Sequence, residues 1–209
     1  MALSDIKLAD LMAPSVIEYA RRMARWQPDA VGRLQQAAFE LYGERGFENT
    51  TVTEIAERAG LTKRTFFRYF ADKREVLFWG SGALHEVFVT EVGAAPESAT
   101  PLEAVTPALD AAAAMFQERR EFAARRQQII VANPELQERE LIKLASLAGA
   151  VAEALRARGV GDPAASLTAE AAIAVFRVGF ERWVDEANRQ PLQQLIRESL
   201  DELRVITAA

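Results

Sequence analysis

Apolar residues recur at three- and four-residue steps along almost the whole chain and nowhere alternate far enough to make a strand, so the pattern predicts an all-α protein. Val31, Leu34, Ala38 and Leu41 mark one face of a helix from Pro28 and Asp29 to Gly46. A short helix follows from Thr51 to Ala59, opened by Thr51-Val52-Thr53-Glu54, in which hydroxyl and carboxylate satisfy free backbone amides reciprocally. Gly60 stops it, and Thr62 caps a third helix reaching about Phe70. Asp72-Lys73-Arg74-Glu75 reads as a further cap, opening a fourth helix to about Val92, and Gly93 to Pro101 reads as a linker.

Prolines and glycines then divide the remainder into helices at about 102–120, 122–132, 135–158, 164–188 and 192–206. The expected organisation is an N-terminal extension over 1–27, a three-helix domain over 28–71, and a larger helical domain over 72–209. Pro14 can open an amphipathic helix within the extension, carrying Val16, Ile17, Tyr19 and Met23 with Arg21, Arg22 and Arg25 on its polar side. The plain reading of that segment is a surface helix or tail, and the sharper one a basic arm for the minor groove.

Composition narrows the chemistry. The chain has 209 residues, half of them hydrophobic, which is enough for a sizeable core. It has no cysteine and a single histidine, so thiol catalysis and cysteine or histidine metal clusters are excluded, and neither a catalytic set nor a metal or cofactor is expected. The first thirty residues carry charge and no long apolar run, so the expectation is a cytoplasmic protein without a membrane partner. A net charge of −5 argues against bulk coating of nucleic acid, yet from Arg58 to Arg74 six basic residues face one acid.

That basic run falls on two short helices joined by a glycine-containing turn, the arrangement that places a helix in the major groove. With Phe66 and Phe70 four apart and turned to the core, Lys63, Arg64, Thr65, Phe67, Arg68 and Tyr69 fall on or near the opposite side. Lys63 and Arg64 lie in the first turn, where side chains reach base edges, and are expected to read sequence. The amides near Thr51 and Lys73 are expected at phosphates. The plain alternative, a solvated helix face, is the usual fate of a charge cluster.

The run Ala37-Ala38-Phe39, Gly46-Phe47, Thr50-Thr51-Val52, Ile55-Ala56, Ala59-Gly60-Leu61-Thr62, Thr65 to Phe70 and Lys73 to Leu77 resembles the DNA-binding domain of TetR-family repressors. The resemblance implies that Thr51, Thr62, Lys63, Arg64, Thr65, Phe67, Tyr69 and Lys73 occupy DNA-contact positions. It also implies that the fourth helix links the DNA-binding unit to the ligand domain and that the last two helices pair in a dimer. Phe67 stands where the family commonly has a phosphate-bonding tyrosine, and Tyr69 where histidine is frequent. Arg125 to Ile130 with Asn133-Pro134-Glu135-Leu136 resembles a subgroup that includes a mycofactocin-pathway regulator.

An effector pocket is expected with Met115, Phe116, Phe176, Phe180 and Trp183 as apolar wall and Arg119, Arg125 and Arg126, with Arg120 near them, toward an anionic or acyl ligand. His85 is counted with this set, its plain reading being structural. Surface arginines above an ordinary core are the alternative. Leu167, Ala171, Val175, Val178, Phe180 and Trp183, with Leu192, Leu195, Ile196, Leu200 and Leu203, give the last two helices wide apolar surfaces for pairing across a twofold axis. The expected function is that of a ligand-responsive repressor, not an enzyme: a homodimer on a pseudo-palindromic double-stranded operator, released by a small molecule. The alternative is a helical adaptor that keeps the motif without operator binding.

Overall fold

The computed structural model describes residues 28–208, and the expectations for the N-terminal extension lie outside the described residues. Within that range the chain forms nine α-helices and no strand. They are α1 (Pro28–Arg45), α2 (Val52–Arg58), α3 (Lys63–Tyr69), α4 (Ser81–Ala94), α5 (Pro101–Phe116), α6 (Arg120–Val131), α7 (Pro134–Ala157), α8 (Ala164–Val184) and α9 (Leu192–Thr207), with a 3-10 turn over Gln117–Arg119. The chain divides into two compact units between Val76 and Leu77.

In the first unit, α1 buries Leu34, Ala37, Ala38 and Leu41, as its spacing predicts, and packs against α2, which buries Ile55 and Ala56 and in turn packs against α3, which buries Phe66. Gly46, with φ of +83°, ends α1 in a conformation that disfavours any side chain. Thr50 is the one buried polar residue among the described residues, and its hydroxyl donates to Gly46 O at 2.9 Å. The unit reaches five residues past the expected boundary at 71 because side chains of α1 hold the following segment. Tyr42 Oη donates to Lys73 O at 2.7 Å, and Gln35 Nε2 to Val76 O at 3.3 Å. These carbonyls belong to the stretch where a fourth helix was expected to begin. The Asp72 cap does form, its Oδ1 accepting from the amides of Arg74 (2.8 Å) and Glu75 (3.2 Å), but regular helix starts only at Ser81. With Lys73 O and Val76 O engaged by side chains, the segment makes turns instead.

The second unit packs α4, α5, α7, α8 and α9 around one core, in which alanines such as Ala104, Ala108, Ala112, Ala148, Ala169 and Ala172 let helices approach closely. Thr100 and Glu103 form a reciprocal cap on α5. Pro107, inside α5, is exposed, so its missing N–H falls on the solvent side. Where α8 crosses α9, a Cβ on Gly179 would lie 2.7 Å from Ile196 Cγ1 and 3.1 Å from its backbone.

Arginines close the ends of these helices. Arg120 Nε donates to Trp183 O at 2.9 Å and its Nη2 to Asp185 O at 2.8 Å, capping α8, while Arg158 donates to Ala95 O and Pro96 O, both at 2.6 Å, just past α4. Most of the apolar surface expected on the last two helices is covered within the chain: Val175, Phe180, Trp183, Leu192, Leu195, Ile196 and Leu200 are all buried. Leu167 (66% exposed) and Val178 (41%) on α8 remain open, as do Val205 and Ile206 on α9. No helix among the described residues is long and apolar enough to cross a membrane, and none of their acidic and histidine side chains gather in a group of three or more suited to a metal.

Candidate nucleic-acid interface

The helix-turn-helix is built from local signals. Thr51 Oγ1 accepts from Glu54 N at 3.3 Å and donates to Glu54 Oε2 at 2.7 Å, while Thr51 N donates to the same oxygen at 2.9 Å. Arg45 joins Glu54 at 2.8 Å. The hydroxyl and the arginine together hold the Glu54 carboxyl below the ordinary carboxylate range. The turn to α3 runs through Gly60, with φ of +65°, and is gripped from α1 by Arg33, which donates to Ala59 O and Gly60 O. Thr62 then caps α3, its Oγ1 accepting from Thr65 N at 3.1 Å and sharing a hydroxyl contact with Thr65 at 3.0 Å.

On α3 the two faces separate as the spacing predicts. Phe66 and Phe70 are buried with ring centroids 5.3 Å apart, and Phe67 is 49% exposed. Lys63, Arg64 and Arg68 are exposed, and Thr65 and Tyr69 half-buried. Lys63 Nζ stands 5.9 Å from the Phe67 ring centroid, and Arg68 stacks on Tyr69 at 4.8 Å while donating to its hydroxyl at 2.9 Å.

The basic run is not uniformly available. Arg58 pairs bidentately with Glu44, each contact 2.9 Å, which holds the Glu44 carboxyl low and the guanidinium high in pKa. Arg74 sits on Asp72 at 2.6 Å and lowers that carboxyl. Lys73 is turned onto the loop after α1, its Nζ 2.8 Å from Phe47 O, 3.2 Å from Glu48 O and 3.1 Å from Thr50 O. Within the basic run, Lys63, Arg64 and Arg68 of α3 are the cations that no carboxylate or carbonyl among the described residues engages.

In the second unit the residues expected to bind an effector fall into two groups. Phe116, Phe176, Phe180 and Trp183 form a chain of rings with centroids 5.5 to 6.0 Å apart, joined by Phe88, which sequence reasoning left out. Met115 and His85 are half-buried, and Arg119 and Arg125 exposed. Arg126 is committed elsewhere: it pairs with Glu140 at 2.9 Å, donates through Nε to Leu77 O at 2.7 Å and lies 5.0 Å from the Phe78 ring centroid. Burial lowers its pKa against the pull of Glu140, yet a guanidinium stays charged at any ordinary pH.

The family model for bacterial regulatory proteins of the tetR family matches residues 34–78, and the model for the MftR C-terminal domain matches residues 99–206. The chain belongs to the TetR family. It is therefore a member of a family of transcriptional regulators rather than of enzymes. Over 79 residues, 38% of this chain and 35% of the relative, it is 39% identical to the HTH-type transcriptional regulator TcmR of Streptomyces glaucescens. Over 64 residues, 31% of this chain and 32% of the relative, it is 34% identical to the Mycobacterium tuberculosis protein MftR, named for transcriptional regulation of mycofactocin biosynthesis. The chain thus spans about a third of the length of these two relatives. Among solved structures it is similar in fold to Thermus thermophilus FadR, a TetR-family repressor in complex with lauroyl-CoA, at 24% identity and a TM-score of 0.54 over 83% of this chain and 92% of that one.

Membership in the TetR family accords with the ordered run from Ala37 to Leu77, and the match to the MftR C-terminal domain accords with the resemblance of residues 125–136 to that subgroup. Sequence reading missed Arg33, Arg45 and Arg158 and placed Arg120 near the pocket rather than on the carbonyls it anchors, because their partners lie elsewhere in the chain or on backbone atoms that no residue type advertises.

Proposed function

We propose that this TetR-family regulator is a repressor that binds a pseudo-palindromic operator as a homodimer and leaves it when a small molecule binds the second unit. The observation that carries the reading is α3: two cations in its first turn, Lys63 and Arg64, are exposed while Phe66 and Phe70 fix the opposite face in the core. Arg64 suits bidentate pairing with guanine, and Lys63 stands beside it to share base readout. Thr51, Thr62, Thr65, Phe67, Arg68 and Tyr69 serve phosphate, sugar and methyl contacts around them. The open side of α8 supports a twofold partner, since Leu167, Ala171, Ala174 and Val178 follow three- and four-residue steps. A dimer would set two copies of α3 about one DNA turn, roughly 34–36 Å, apart.

The effector is an anionic or acyl compound. Its apolar part enters among Met115, Phe116, Phe176, Phe180 and Trp183, with His85 alongside, and its charged part meets Arg119, Arg125 and Arg126. FadR, bound to lauroyl-CoA, lends the acyl reading support by analogy of fold. The Arg126 contacts suggest how binding is felt: an anion that draws Arg126 from Glu140 also frees the Leu77 carbonyl, the first of the second unit. A differential affinity worth about 1–3 kcal/mol between two conformers is enough to alter operator binding 5- to 150-fold. The protein acts in the cytoplasm, where operators and metabolites meet.

The test is selection of bound duplexes from random DNA, followed by titration of the recovered duplex with and without a panel of acyl thioesters and other anions. The reading expects a palindromic consensus and at least one compound that weakens binding. Recovery of no preferred duplex would favour the adaptor instead, and tight effector binding without change in DNA affinity would remove the coupling.

A further inference from the structure

Most cations around the helix-turn-helix are explained by what they hold or by their openness to solvent, but Lys73 is neither paired to a carboxylate nor free. An ammonium has three N–H groups, and the three carbonyls of Phe47, Glu48 and Thr50 at 2.8, 3.2 and 3.1 Å take all of them. The charge also lies 4.3 Å from the Phe47 ring centroid. The same corner is tied twice more. Tyr42 donates to the carbonyl of Lys73 itself at 2.7 Å, and its ring meets Phe47 edge-on at 5.1 Å. The loop that Lys73 holds ends at Thr51, the cap of α2, and α2 in turn packs against α3.

We propose that Lys73 is a positioning residue for DNA binding: its ammonium fastens the 47–50 loop to the segment after α3 and so fixes where α2 begins and how it supports the reading helix. A phosphate contact at this position would require Lys73 to abandon at least one of those carbonyls and leave it without its charge-assisted bond. The proposal rests on the DNA-binding reading above for its effect on affinity, whereas the brace itself is a property of the free protein.

The experiment compares the full chain with Lys73→Ala and Lys73→Arg, well below the melting temperature of each. The probes are the duplex recovered by wild type from random DNA and an unrelated duplex of equal length. Losing one phosphate contact flattens the plot of log K against log salt by about 0.9. We expect Lys73→Ala to lose affinity about tenfold with an unchanged salt slope. Hydrogen exchange at amides 50–54 should rise about tenfold while the α1 core amides keep their protection. Lys73→Arg, still able to donate to the loop carbonyls, should recover most of both. Should Lys73→Ala fail to fold, Lys73→Gln, which retains a donor without the charge, is expected to show the same unchanged slope.

A slope reduced by about 0.9 with unaltered exchange would overturn the proposal in favour of a direct phosphate contact. Wild-type affinity and exchange in Lys73→Ala would overturn it outright. If wild type prefers no duplex, the function reading falls, and the exchange data alone still uphold or reject the brace.

Discussion

In the unit ending at Val76 the caps of the helix-turn-helix join residues three apart, Thr51–Glu54 and Thr62–Thr65, and its longer ties, from Arg33 to Ala59 and from Lys73 to Phe47, each span 26 residues. In the unit beginning at Leu77 the Thr100–Glu103 cap is equally local, but other ties reach further: Arg126 reaches Leu77 across 49 residues, Arg158 reaches Ala95 just past α4 across 63 and Arg120 reaches Asp185 just past α8 across 65. The difference bears on function. A recognition surface gains from cations that its own fold leaves unspent, and α3 presents Lys63 and Arg64 in that state. On the proposed function, a domain that must change conformation gains from ties between segments far apart in the chain.

The comparison breaks most readily at Arg126. Arg126→Ala leaves Glu140 and the Leu77 carbonyl without their partner in a mostly buried setting, and urea unfolding should show a loss of about 3 kcal/mol. An unchanged midpoint would mean that the long-range tie contributes nothing. Gly179→Ala comes next. The added Cβ meets the Ile196 backbone, and overpacking should cost about 2 kcal/mol, read as a lowered melting temperature with DNA contacts intact. A neutral outcome would show that α8 and α9 separate freely.

The smallest effect is one of pH. In the folded chain the Glu54 carboxyl lies below its ordinary value of 4.5, chiefly through the Thr51 hydroxyl and also through its amide and Arg45. A carboxyl lowered on folding contributes stability that is complete above the unfolded value and fades as pH falls through the folded one. The melting-temperature advantage of wild type over Glu54→Gln should therefore be constant above about pH 5 and shrink in more acid solution. An advantage that grows on acidification would contradict the capping geometry.

How much of this was legible in the sequence follows the same division. The caps at Thr51 and Thr62, the stop at Gly60 and the buried pair Phe66 and Phe70 could be read because each signal and its partner lie within one or two turns. The later helices could be placed within a few residues from their prolines, and the aromatic set Phe116, Phe176, Phe180 and Trp183 does come together. Three things were hidden. Arg58, Arg74 and Lys73 look alike in a charge count, yet two sit on carboxylates and the third on carbonyls. The start of α4 shifted to Ser81 because Tyr42 and Gln35, from α1, take up Lys73 O and Val76 O. The apolar faces of α8 and α9 looked uncovered, and only tertiary packing shows that the chain covers most of them itself.

The most direct test is the affinity of Arg64→Ala and Lys63→Ala for the selected duplex and for an unrelated one, measured at the same salt. Each variant should lose roughly 1–3 kcal/mol on the selected duplex where a base contact is removed, and clearly less on the unrelated one. Equal losses on both would contradict the assignment of α3 as the helix that reads the bases.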